Sequence, residues 1–112
     1  MIELPFPASV LAGHATKSSW GKIDATKKHR EWAKIATRAA NIVVPHDGDI
    51  VLHVVFIPPN DRGDRINYPN RMKPYFDGIA DALGVNDKRF VPSFEFQEPE
   101  KNNGCVIVEV RS

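Results

Sequence analysis

The chain has a single cysteine, Cys105, so no internal disulfide can form and a reducing, cytoplasmic setting is expected. That cysteine falls in the apolar run "GCVIVEV", where a small buried thiol suits the pattern better than a reactive one. Nowhere do about 18 apolar residues follow one another, and "MIELPFPASV" lacks a basic segment leading into an apolar one. Neither a membrane-spanning helix nor a secretory leader is expected, and no membrane partner. Internal repeats and low-complexity tracts are absent too. Charge of one sign is also missing: 15 Lys and Arg face 14 Asp and Glu, a net charge of +1. That total identifies no partner. Its distribution says more, because residues 15 to 40 hold seven basic side chains against two acids, a stretch able to meet an anion or simply to solvate one face of a helix.

What is present fits one globular domain over residues 1–112, with 42% hydrophobic content and room for one modest core. "IELPFP" predicts a short strand ended by Pro5 and Pro7. Residues 9–25 predict a loop with room for a short strand. A helix is expected from Ala25 to Asn41, capped by Asp24 or Thr26. Its apolar stripe is Trp32, Ile35, Ala36 and Ala39, with Lys27, Lys28, Arg30, Lys34 and Arg38 on other faces. After the Asp47-Gly48 turn, Ile50 to Ile57 predicts an interior strand, apolar on both faces except at His53, which reads as a packed or hydrogen-bonded histidine rather than a metal ligand.

"PYFDGIADALG" predicts a second helix with Tyr75 or Phe76, Ile79, Ala82 and Leu83 inward and Gly84 just past its end. Either Pro69 or Pro74 can begin it. "RFVPSFEFQ" and "CVIVEV", joined by a turn through Asn103-Gly104, predict an antiparallel hairpin. Strands on both sides of two helices make an α+β or mixed α/β domain, a small mixed sheet with two helices.

Between the interior strand and the second helix lies "DRGDRINYPNRMK", a polar loop whose one aliphatic residue is Ile66. Asp61 and Asp64 sit just past the strand end, and Asp87 just past the helix end. Carboxylates converging from separate loops, with no histidine or cysteine among them, would make a hard-oxygen site for Mg²⁺ or Mn²⁺. Such an ion suits displacement at phosphorus, and Arg62, Arg65, Arg71, Lys73, Lys88 and Arg89 would let a polyanion approach. The alternative is that these aspartates are solvated turn residues, and that Lys73 and Asp77, four apart, are a surface pair.

The stretch "GDRINYPNRMKPYFDGIADALGVNDKRF" resembles the signature of the RusA-type Holliday junction endodeoxyribonucleases. "LPFP", the basic "KKHREWAKIA" and the closing apolar strand follow that family's order of elements. The resemblance implies a homodimeric, Mg²⁺-dependent enzyme that nicks four-way DNA junctions. By position, Asp64 matches the first aspartate of a D-x-D-N segment, Asn67 its supporting asparagine, Lys73 the active-centre lysine and Asp87 the acid after the helix. Asp64 and Asp87 are then the metal ligands, and Lys27, Lys28, Arg30, Arg65, Arg71 and Lys88 the DNA contacts. In this sequence Ile66 stands where the second aspartate of that segment belongs, which also admits a junction-binding protein that no longer cuts.

Overall fold

The structure, a computed structural model, describes residues 1–11 and 19–111. In chain order its elements are β1 (Ile2–Pro5), α1 (Ser19–Ala39), β2 (Ile50–Ile57), α2 (Lys73–Leu83), β3 (Phe90–Phe96) and β4 (Cys105–Arg111), with short 3-10 turns between them. The strands form one mixed sheet in the order β1-β4-β2-β3. β2 runs antiparallel to β4 and parallel to β3, and β4 is antiparallel to β1. It is a small α+β domain, as the alternation of strands and helices predicts.

Strand β2 organises this sheet because every second side chain is apolar and faces one way. Ile50, Leu52, Val54 and Phe56 are fully buried, with Val54 opposite Val108 and Phe56 opposite Val106 of β4. Ile2 and Leu4 of β1 extend the same layer. Tyr75 and Ile79 of α2 and Ala33 of α1 close over it, so both helices lie on one face of the sheet. The other side chains of β2, including His53, point to the opposite face and are half-buried. There His53 Nδ1 shares a hydrogen bond with Ser93 Oγ at 2.6 Å, and its Nε2 lies 3.4 Å from Glu95. His53 is thus a hydrogen-bonded strand residue.

The terminal hairpin expected from residues 90–110 does not form. β3 and β4 lie on opposite sides of β2, because α2 returns the chain parallel to β2 on its free edge. The following segment then crosses over the end of β2, held by Gln97 N donating to Phe56 O and Glu100 N to Pro58 O. The turn falls at Lys101-Asn102 rather than at the expected Asn103-Gly104, closed by Asn103 N–H donating to Glu100 O at 3.0 Å, with Asn102 in the left-handed region, and it serves a crossover.

Helix α1 differs from expectation twice. It starts at Ser19 rather than Ala25, so part of the loop expected over residues 9–25 is helical; residues 12–18, with any short strand there, lie outside the described residues. Thr26 donates to Lys22 O and Asp24 pairs with Lys28, so neither caps the helix. The buried stripe is also rotated. His29, Ala33 and Thr37 face inward, while Trp32 and Ile35 are exposed.

The rotation follows from α2. A Cβ at Gly78 would collide with the Arg30 carbonyl oxygen and lie 2.9 Å from the Ala33 Cβ. Only small side chains fit where the helices cross. The bidentate pair from Arg30 to Asp81, at 2.7 and 2.9 Å, fixes the same crossing from its solvent side.

Helix α2 settles the choice between its two prolines by using both. Pro69 opens a 3-10 turn over Pro69–Met72, and Pro74 lies in the first turn of the α-helix that continues from it. Gly84 ends the helix with φ 66°, donating its N–H back to Ala80 and Asp81 carbonyls. Tyr75 donates its hydroxyl to Pro5 O at 2.6 Å, tying α2 to the end of β1. Among the described residues no helix is long and apolar enough to cross a membrane.

Buried His29 joins the first segment to α1. Its Nδ1 donates to Ala25 O at 2.7 Å and its Nε2 accepts from Ala8 N–H at 3.2 Å. This arrangement requires the neutral ring, and burial holds the imidazole below its ordinary range, opposed by the Ala25 carbonyl. Two predictions follow from this packing. Replacing Gly78→Ala gains helix propensity of about 1 kcal/mol, but overpacking against backbone costs about 1–3; urea unfolding should show a net loss, and an unchanged midpoint would refute the tight crossing. The unfolded chain also takes up a proton at His29 before the native state does. Thermal stability should therefore be full above roughly pH 6.5 and fall as pH drops below it, with a shallower fall in His29→Gln.

Candidate active site

The two loops expected to carry carboxylates are built alike, each by an Asx side chain capping a 3-10 turn. Asp64 accepts the Ile66 N–H at 3.0 Å and so caps Arg65–Asn67. Asn86 accepts the Lys88 N–H at 2.9 Å and caps Asp87–Arg89. In the second loop the cap presents Asp87 beside the first turn of α2, where Lys73 begins the helix. Arg89 anchors that loop from behind, donating to the Gly48 and Pro45 carbonyls at 2.8 and 2.6 Å.

Lys73 is the centre of the cluster. Its Nζ donates to Asp87 Oδ2 at 2.6 Å and to Asp77 Oδ1 at 2.9 Å. Asp77 lies one helical turn on, so a contact local in sequence and one across the fold meet on a single ammonium. The Asp87 carboxylate, then Asp77, raises the Lys73 pKa, and Lys73 in turn holds the Asp87 carboxyl below its usual range. The cluster sets one ammonium against two carboxyl groups. Ion pairs this exposed contribute little to stability. The arrangement is better understood through what its charges can hold.

Not every expected site residue joins it. The Asp64 carboxylate is engaged in its cap, and among the described residues no three His, Cys, Asp or Glu side chains gather where they could hold a metal ion. Asn67 donates its backbone N–H to Asp64 O at 2.9 Å, so it supports the loop through its main chain. Ile66 is 82% exposed, an aliphatic side chain standing in solvent at the tip of the turn. Asp61 is likewise exposed in its loop.

The expected DNA contacts divide by environment. Lys27 and Lys88 are exposed and, among the described residues, have no ion pair. Lys28 pairs with Asp24 at 3.2 Å, and Arg65 approaches Glu98 at 3.6 Å. Arg30 is committed to Asp81. Arg71 is drawn inward against Phe6 and Tyr68. Asp77 and Asn86 belong to the cluster and were not anticipated as site residues. The four-residue spacing of Lys73 and Asp77 signals the first; the Asn-Asp order before a short turn is the only local sign of the second.

The charge coupling is directly measurable. In Lys73→Met the Asp87 carboxyl should titrate at higher pH than in the unsubstituted protein, followed by its carboxyl carbon resonance; an unmoved midpoint would show that the pair does not persist in solution.

No family model matches the sequence. A protein of Xylella fastidiosa (strain Temecula1) named only as an uncharacterized protein is 33% identical over 113 residues, spanning 97% of this chain and 74% of the relative. With similarity running through both helices and all four strands, the chain belongs to the family of that Xylella fastidiosa protein.

Proposed function

We propose that the protein is a cytoplasmic, Mg²⁺-dependent endodeoxyribonuclease that acts on four-way DNA junctions as a homodimer. The observation that carries this reading is the Lys73 ammonium held between the Asp77 and Asp87 carboxylates, beside the stretch resembling the RusA-type enzymes. Two carboxylates already arranged around one cation fit a hard divalent ion, which keeps several waters and binds through one or two carboxylates plus a substrate phosphate. Asp77 and Asp87 would hold Mg²⁺ or Mn²⁺, and when bound the ion would polarise a phosphoryl oxygen and supply an activated water.

The chain's own residues account for the rest. Lys73 stays charged because two carboxylates favour its protonated form, and on a flexible stem its ammonium can turn from them to a non-bridging phosphate oxygen. There it would stabilise the charge that develops as the phosphodiester opens. Asn86 and Arg89 keep Asp87 in place through the turn and the Gly48 and Pro45 carbonyls of the loop before β2. Lys27, Lys88 and Arg65, exposed at the surface, would contact phosphates without reading base sequence, the positioning role usual for such contacts. A two-fold dimer would place one cluster at each of two symmetric cuts.

The exposure of Ile66 favours a second reading, a protein of the same lineage that binds junctions without cutting. In the RusA-like pattern this position carries a carboxylate, and here it offers no oxygen. Incubating the protein with labelled four-way junction and linear duplex, with Mg²⁺ or Mn²⁺, separates the two. Junction-specific nicking lost in Asp87→Asn and Asp77→Asn, by roughly a hundredfold or more, supports the enzyme. Binding without nicking, restored to nicking by Ile66→Asp, supports the second reading. Absence of any junction preference would rule out both.

A further inference from the structure

Arg71 is a charged side chain with too few partners. Its guanidinium carbon sits 5.9 Å from the Phe6 ring centre and 5.2 Å from that of Tyr68, in the corner those rings make by meeting edge to face at 4.9 Å. Nη1 donates to Pro7 O at 3.2 Å, while Nε is buried without a hydrogen-bond partner. A guanidinium has five N–H donors. Among the described residues, this one makes a single hydrogen bond and lies within 4 Å of no carboxylate. Buried charges are ordinarily paired, because desolvating them is costly. Burial here is enough to lower the Arg71 pKa, yet a guanidinium remains charged at any ordinary pH.

Beside Arg71 opens a cavity of about 420 Å³, a volume within the range of small-ligand sites. Its walls combine apolar surface from Phe6, Pro7 and Tyr68 with Asn60, Arg62 and Arg71. Among the described residues, two guanidiniums line it and no carboxylate does. Asn60 accepts the Arg62 N–H at 3.0 Å, an Asx turn that fixes where Arg62 leaves the loop. We propose that this cavity is a phosphate-binding pocket, with Arg71 the inner donor, Arg62 the outer one and the apolar wall receiving the organic part of a phosphate ester.

Guanidinium forks match tetrahedral oxyanions well, and the aromatic corner pre-orients Arg71. The pocket is distinct from the Lys73 cluster. Arg71 and Lys73 flank Met72, which is fully buried, and of the two only Arg71 is among the residues that line the cavity. The same phosphate chemistry can come from a free nucleotide or from a DNA strand, and neither source depends on whether the protein cuts DNA.

The test is a titration of the isotopically labelled full-length chain, without divalent ions, with inorganic phosphate, thymidine monophosphate and a short single-stranded oligonucleotide, following the Arg71 Nε–H signal and, in every variant, the backbone amides of Gly63 and Tyr68 in the pocket wall. Saturable shifts are expected, weakened at least about tenfold in Arg62→Gln and lost in Arg71→Met. Arg62 is exposed, so its substitution tests the pocket even if Arg71→Met fails to fold. Shifts with the two small anions place a nucleotide-sized ligand there; shifts with the oligonucleotide alone assign the pocket to a DNA strand. No saturable shift with any probe, or binding indifferent to Arg62→Gln, overturns the proposal.

Discussion

The crossing of α1 over α2 at Gly78 is the contact on which the arrangement rests. It brings the Arg30 carbonyl and the Ala33 methyl against bare backbone, and its closeness decides which face of α1 turns inward. From that follow the small inner stripe of α1, the exposure of Trp32 and Ile35, and the depth at which Tyr75 and Ile79 enter the core. Lys73 and Asp77 ride on α2, and Asp87 follows directly from its end. Their geometry is thus set in part by a glycine that carries no side chain of its own.

A separation among the basic residues also emerges. Three arginines serve the architecture: Arg30 bridges the helices, Arg89 clamps a loop to backbone carbonyls, and Arg71 is wedged between rings. Lysines remain largely at the surface. The planar guanidinium suits fixed multidentate contacts, whereas the ammonium on its flexible stem suits a charge that has to move. A net charge near zero conceals this division.

How much of this was legible in the sequence depended on how local the determining contact is. β2 falls at Ile50–Ile57 as expected because its alternation is intrinsic to the segment. The end of α2 was readable from Gly84, since the left-handed cap needs no tertiary partner. The inner face of α1 was not, because large apolar residues there lose to small ones once α2 approaches. Nor was the hairpin's failure, since pairing of β3 with β2 depends on the path of α2. In the cluster, the Lys73–Asp77 spacing was visible and its meeting with Asp87 was a tertiary event. Arg71 looked like one more surface cation in a polar loop; only the fold shows that Phe6, from far upstream, encloses it.

The sheet's edge has a consequence for biosynthesis. Among the described residues β1 has β4 as its one partner strand, with Ile2 opposite Val108 and Leu4 opposite Val106, so the first of the four strands made is completed by the last. At roughly 5–20 residues per second of translation, the apolar side chains of β1 wait for on the order of ten seconds without a partner strand. β2, central in the finished sheet, meanwhile lacks one neighbour. The nascent chain therefore cannot close its sheet until β4 has left the ribosome, and in that interval its open strand edges are what a chaperone, or another nascent copy, would encounter.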